Sequence, residues 1–349
     1  MQNKVLKSWK TRSLKNLPAF FNMVVIFREQ EGVIFLLLLP FIGSFYGVRG
    51  HFVRRSTLSP GTTKFLSKIF RGRCSDYSDC TLPHTFQCDT DPSRPQINCT
   101  NSLREFIDAF AHKDPCQVPD DAYNEFLNKS MVHSEPNETL FWSGTRNIAI
   151  NIATITDRYT TIERTAAGYV LNGLVWCGKN GAEDSSGINH AECPSCERGV
   201  PDATYQFWRS ASRHFAAQAR GYVSVLLNST REGGAFQNKS TFATQELPNL
   251  DVNLVSHVFI HVVRDVTIPD DIPGEDCDGE SILYLKRRLE ERGLKYTCSS
   301  NDREFILVQC VQYPDSAPCQ MLSTSSVAFK RSSILFILSF STLLINTIF

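Results

Sequence analysis

The chain has 349 residues, 36 Lys+Arg against 36 Asp+Glu, 42% apolar residues and 21% charged residues. That balance excludes a disordered chain, a collagen-like chain and a polytopic membrane protein. A net charge of zero also speaks against a nucleic-acid partner, which usually draws a basic excess.

The chain opens on a leader, residues 1–47. Its apolar run, 33–45 (VIFLLLLPFIGSF), is short for a bilayer span and contains Pro40 and Gly43. Read from Met23, with Arg28 as the positive end, it is a secretory signal peptide cleaved near Gly47. Met1 and Met23 are both available starts, and an uncleaved membrane anchor is the other reading. Residues 48–73 read as a polar, basic linker.

Residues 74–200 read as a mainly helical subdomain. After disulfide-tied loops over 74–100, the spacing of Leu103, Phe106, Ile107 and Phe110 predicts a helix. A second short helix is expected over 120–129, further helices between Gly144 and Trp176, then loops to Pro201. Residues 201–320 read as an α/β subdomain. An amphipathic helix over 205–220 precedes three strands, 222–227, 255–263 and 305–311 (FILVQCV), with a helix over 281–292 between the last two. Strand–helix–strand order predicts a short parallel sheet with crossover helices. The expected class is therefore α/β (α+β), a helical first half against an α/β second half.

Residues 321–349 form the other special end. Small residues around Ser323, Ser325 and Ser326 precede Lys330-Arg331 and an apolar tail. That is the pattern of a glycolipid-anchor signal whose tail is removed, with a C-terminal membrane helix as the alternative. Both ends are basic, so the part between them is mildly acidic. All twelve cysteines lie between Cys74 and Cys319, beside five glycosylation sequons at Asn98, Asn128, Asn137, Asn228 and Asn238. Together with the leader they predict an extracellular or vesicle-lumenal glycoprotein tied by disulfides. No HExxH, paired CxxC or Gly-rich phosphate loop is present, and Cys193-Pro-Ser-Cys196 reads as structural rather than metal-binding. No metal site is expected.

Three tryptophans fall in the secreted part: Trp142, Trp176 and Trp208. A tryptophan taken alone is more often core than ligand platform. Two acids, Glu163 and Glu246, stand among mostly uncharged residues, where a lone Glu is usually a solvated charge.

Five blocks nevertheless occur in one order: FWSG at 141–144, TIE at 161–163, GYVLNGLVWCG at 168–178, FWRSASRHFA at 207–216 and STFATQELPNL at 240–250. Their order and spacing resemble the ADP-ribosyl cyclase / NAD glycohydrolase family over about Cys74 to Cys319, with two blocks nearer the invertebrate members. The resemblance implies an ectoenzyme that cleaves the nicotinamide–ribose bond of NAD to cyclic ADP-ribose and ADP-ribose, with base exchange on NADP. It implies no cofactor, NAD and NADP being substrates. Glu246 matches the catalytic glutamate, and Glu163 the acid that biases cyclisation against hydrolysis. Trp142 and Trp208 match the tryptophans that position the nicotinamide end. Ser143, Asn172, Ser212 and Thr241 match pocket residues.

The resemblance also implies the bridges Cys74–Cys99, Cys116–Cys196, Cys177–Cys193, Cys277–Cys298 and Cys310–Cys319, leaving Cys80 and Cys88 to pair with each other. A further mammalian bridge is absent, its positions falling near Pro136 and at Arg220. The partners implied are a dinucleotide, a membrane through the lipid anchor, and a second copy in a homodimer. Three departures matter. Thr241 is small where the molluscan enzyme is aromatic, so hydrolysis is expected beside cyclisation. Gly144 replaces a basic residue that can meet phosphate. Arg164 follows Glu163 where an Asp is usual, so a cation is expected beside that acid. A catalytically weak receptor or adhesion protein on the same fold is the alternative function, set against the retention of Glu246 and both pocket tryptophans.

Overall fold

A computed structural model of the chain describes residues 59–79, 97–131, 135–181, 186–269 and 271–322. The expected leader, the expected Cys80–Cys88 pair and the serines Ser323, Ser325 and Ser326 of the expected anchor signal lie outside the described residues. In chain order the elements are β1 (Ser59–Pro60), α1 (Leu66–Ser78), α2 (Cys99–Asp108), α3 (Asn124–Ser130), β2 (Leu140–Ser143), α4 (Arg146–Thr156), α5 (Ala166–Leu171), β3 (Glu192–Cys193), α6 (Ala203–Gln218), β4 (Gly221–Asn228), β5 (Val255–Val263), α7 (Glu280–Glu291), β6 (Tyr296–Ser300) and α8 (Arg303–Gln312).

Four strands form one parallel sheet in the order β2-β4-β5-β6. Both faces are covered, which is why β4 and β5 are mostly apolar. Val223, Val225 and Leu227 of β4 and Val258, Ile260 and Val262 of β5 pack with Phe207, Ala211 and Phe215 of α6 and Ile282, Leu285 and Leu289 of α7. Leu226 and Val263 turn the other way, onto Ile148 and Ile152 of α4 and Phe305 and Val308 of α8. The larger core runs from Leu66 to Leu294 and draws on residues from both sides of position 200.

Two sequence expectations change. The run 305–311 is not a strand but lies within α8. Its seven residues carry no turn signal, and a short apolar run reads alike in either period. In the fold Phe305 and Val308 are buried while Leu307 and Val311 face solvent. The strand that follows α7 is instead β6, TyrThrCysSerSer, whose polar sequence hides it. Its place at the sheet edge needs no apolar alternation. The basic linker expected over 48–73 also gives way, from Leu66, to α1. Leu66, Phe70 and Cys74 make its buried stripe at four-residue spacing, and outward-facing Lys68 and Arg71 masked it.

Five disulfides occur among the described residues: Cys74–Cys99, Cys116–Cys196, Cys177–Cys193, Cys277–Cys298 and Cys310–Cys319, the pairs the resemblance implied. Where the further mammalian bridge would lie, Asn137 joins the same two segments by hydrogen bonds. Its backbone N–H donates to Arg220 O at 3.0 Å, and its Oδ1 accepts from the Tyr222 N–H at 2.8 Å. Among the described residues no helix is long and apolar enough to cross a membrane.

Candidate active site

Parallel strands present their carboxyl ends on one side of a sheet, the usual place for a ligand crevice in open α/β sheets. Here β2 ends on Trp142 and Ser143, paired with Leu226 and Leu227 of β4. A cavity of about 700 Å³ opens beside this end. All eight residues singled out in the sequence line it: Trp142, Ser143, Glu163, Asn172, Trp208, Ser212, Thr241 and Glu246. Trp176 does not; it is a core residue with 1% of its surface exposed.

Trp208 and Ser212 lie one turn apart on α6 and so share a face. Glu246 comes from a π-helical turn, Phe242–Glu246, a rare geometry frequent at functional sites. The residue is 6% exposed. Ser212 Oγ donates to Oε1 at 3.0 Å, while Oε2 is buried with no hydrogen-bond partner. Burial disfavours its charged form and pushes its pKa up to about 8; the Ser212 hydrogen bond opposes that rise and the charge of Glu163 adds to it.

Glu163 sits on a 3-10 turn, Ile162–Arg164, between α4 and α5. Trp142 Nε1 donates to its Oε2 at 3.3 Å. Arg146 Nε lies 3.4 Å from its Oε1, and Arg146 Nη2 donates to Asn172 Oδ1 at 2.8 Å. The cation beside Glu163 is therefore Arg146, not Arg164 as the sequence suggested. Arg164 turns back onto α4, pairing with Asp157 at 2.6 Å and with Ala153 O. A neighbour in sequence on a tight turn points elsewhere, whereas a residue seventeen positions earlier arrives across the site. One signal for Arg146 was legible: it opens α4, where a cation opposes the helix dipole unless a carboxylate meets it.

The loop and helix behind Glu163 are closely fitted. Thr165 caps α5, its Oγ1 accepting from Gly168 N–H at 3.1 Å and donating to Ile162 O at 2.7 Å. A Cβ at Gly168 would stand 1.9 Å from Ile162 O. Arg73 of α1 donates to Asn172 O at 2.7 Å and Val170 O at 3.1 Å, fixing the end of α5. Gly168→Ala must therefore displace the turn that carries Glu163. The expected outcome is a loss of turnover on the order of 10²-fold, from a displacement of about an ångström in the cavity wall, measured with a lowered melting temperature.

Arg231, Lys239 and Ser240 also line the cavity, and sequence reasoning missed them. They come from the loop after β4, where only the folded chain brings them to the rim. Of the five sequon asparagines, Asn98, Asn128, Asn137 and Asn238 are exposed and Asn228 is half-buried. Among the described residues no group of His, Cys, Asp or Glu is arranged to hold a metal ion.

Known proteins are similar to this chain in sequence and in fold. The sequence model of the ADP-ribosyl cyclase family matches residues 63–319. The human protein ADP-ribosyl cyclase/cyclic ADP-ribose hydrolase 2 is 28% identical over 277 residues, 79% of this chain and 82% of that protein. The ADP-ribosyl cyclase/cyclic ADP-ribose hydrolase of Aplysia californica is 30% identical over 262 residues, 74% of this chain and 88% of that protein. The crystal structure of Aplysia cyclase complexed with substrate NGD and product cGDPR superposes with a TM-score of 0.64 at 28% identity, covering 74% of this chain and 98% of that one. The molluscan and human identities are alike.

Proposed function

This chain belongs to the ADP-ribosyl cyclase family, and we propose that the cavity around Glu246 cleaves the nicotinamide–ribose bond of NAD, yielding ADP-ribose and cyclic ADP-ribose. One observation carries this reading: a buried glutamate with one oxygen held and the other unpartnered, in a cavity that also contains two tryptophans and a second acid.

Departure of nicotinamide takes the bonding electron pair with it and leaves an oxocarbenium-like ribosyl centre, as in glycoside hydrolysis. The ionised Glu246 stabilises that developing charge. Trp142 and Trp208 orient the flat cationic ring of the substrate, an attraction worth roughly 0.5–2 kcal/mol. Glu163, fixed by Trp142 and Arg146, holds the nicotinamide end beside Asn172. The ribosyl centre then has two fates. Water adds its oxygen and loses a proton to give ADP-ribose; a nitrogen of the substrate's own adenine closes the ring to give cyclic ADP-ribose. Nicotinic acid meeting the same centre in NADP gives base exchange. The dinucleotides are substrates, and this scheme draws on no further cofactor.

Incubating the secreted chain with NAD and separating the products tests the reading; no release of nicotinamide would end it. Thr241 lines the cavity and leaves room where an aromatic side chain would restrict water and hold the adenine back. ADP-ribose is therefore expected as a substantial product, and Thr241→Phe should raise the cyclic share. Dominance of cyclic ADP-ribose in the wild-type mixture would count against this account of Thr241.

The disulfides support an oxidising compartment for this chemistry. Attachment through a lipid anchor in the region of Ser323, Ser325 and Ser326 would put the site on the outer cell face or in a vesicle lumen. Release of activity from intact cells by a phosphatidylinositol-specific phospholipase checks the anchor, and sedimentation of the secreted chain checks the homodimer.

A further inference from the structure

The cations of the cavity differ in what they are free to do. Arg146 is engaged with Glu163 and Asn172. Arg231 lies across Gly144: a Cβ at that glycine would stand 3.4 Å from Arg231 Cδ, 3.6 Å from its Nη1 and 3.2 Å from Asn228 Cβ. Gly144 has a φ of +74°, a conformation that side-chain-bearing residues rarely adopt. A Cβ at 144 would touch Arg231 and press more tightly on Asn228, and the backbone there suits glycine.

Arg231 Nη1 donates to Ser143 Oγ at 2.9 Å, and no ion pair found among the described residues includes Arg231. A serine hydroxyl that accepts from a guanidinium keeps its own proton to donate. The remaining guanidinium N–H groups and the Ser143 O–H therefore lie side by side on the cavity wall. Adjacent N–H and O–H donors with a positive charge match a phosphate oxygen.

We propose that Arg231, together with Ser143, binds the diphosphate of the dinucleotide. The proposal rests on the reading of the cavity as an NAD site. It makes Arg231 a specificity-determining residue, favouring ligands that carry a diphosphate over those that present the nicotinamide ring alone.

The test compares wild type with Arg231→Ala through three constants: KM for NAD, and inhibition constants for ADP-ribose and nicotinamide. ADP-ribose carries the diphosphate and nicotinamide does not. The expected result is a rise of about 10- to 100-fold in KM for NAD and in the ADP-ribose constant, as for loss of a charged hydrogen bond. The nicotinamide constant should stay within about twofold. Arg231→Lys should recover part of the loss, since a point charge meets phosphate without the fork. Arg231 is half-buried, and Arg231→Gln, read beside its melting temperature, gives the same comparison without a cavity. An unchanged ADP-ribose constant overturns the proposal. So does an equal rise for nicotinamide, which would mean that Arg231 only supports the wall. Wild type that neither binds nor turns over NAD overturns the NAD reading itself; active wild type with an indifferent Arg231 overturns this inference alone.

Discussion

Glu246→Gln is expected to lower NAD turnover on the order of 10³-fold, the scale seen when a group aimed at transition-state charge is removed. The replacement keeps the shape and an oxygen for the Ser212 Oγ donor, which lies 3.0 Å from Oε1 in wild type, and deletes only the charge. Equal turnover by both forms would remove Glu246 from its role. The same carboxyl sets a pH dependence. Its pKa is raised to about 8 by burial, against the Ser212 hydrogen bond and with the charge of Glu163. The free enzyme at pH 6 to 7 therefore holds Glu246 mostly protonated, and the ionised form needed for chemistry accumulates as pH rises. kcat/KM should climb about tenfold for each pH unit below 8 and level above it, since that quantity reports groups of the free enzyme. A flat profile between pH 6 and 9 would contradict the assignment.

Stability runs the opposite way. The unfolded chain ionises this group near the ordinary glutamate value of 4.5, while the folded chain resists until about 8. The native state therefore binds more protons across that window, and stability falls as pH rises through it. Glu246→Gln has no such penalty. Its melting temperature should exceed that of wild type at pH 9 by the equivalent of several kcal/mol, because each tenfold change in proton affinity between the folded and unfolded chain is worth about 1.4 kcal/mol. The difference should vanish near pH 4. Higher stability with lost activity in one variant is the mark of a site built against its own folding preference.

What the sequence made legible follows from what was local. The buried runs of β4 and β5 and the amphipathic faces of α6 and α7 carry their period in the chain, and their spans agree with the fold to within a few residues. The eight cavity residues were reached through linked blocks rather than through periodicity, and the fold brings all of them to one cavity. The elements that escaped were those whose state is decided by neighbours. β2 has four residues and is held by pairing with β4. β6 is polar, and its Cys298 is tied to Cys277. α8 has the composition of a strand and becomes helical where its Phe305 and Val308 pack beside α4 on one face of the sheet. The same holds in the site. Arg146 and Arg231 each face the cavity from another segment, and adjacency in sequence pointed instead to Arg164, whose side chain serves α4.

Trp176→Ala is expected to destabilise the fold by about 4 kcal/mol, within the range of roughly 3–5 for deleting a large buried aromatic, with the disulfides kept intact during denaturation. The indole packs edge-on against Phe106 at 4.9 Å and Phe207 at 5.4 Å between ring centres, tying α2 to α6. Its Nε1 donates to Tyr123 Oη at 2.9 Å, and that hydroxyl donates in turn to Ala203 O at 2.9 Å. Burial pushes the Tyr123 phenol well above its usual pKa, against the Trp176 hydrogen bond, so it stays a neutral relay between the two. Tyr123→Phe leaves the indole N–H and the Ala203 carbonyl buried without this partner and should cost about 1–3 kcal/mol. Trp176→Ala with Tyr123→Phe should then cost less than the two separate losses added, because each single change already breaks the shared bond. Strict additivity would mean that the relay contributes nothing. Trp176→Phe should retain most of the packing and leave KM for NAD near wild type, whereas Trp208→Phe, altering a residue of the cavity itself, should shift it. Among three tryptophans that the sequence presented in similar settings, this contrast separates the one that holds the helices together from those that line the cavity.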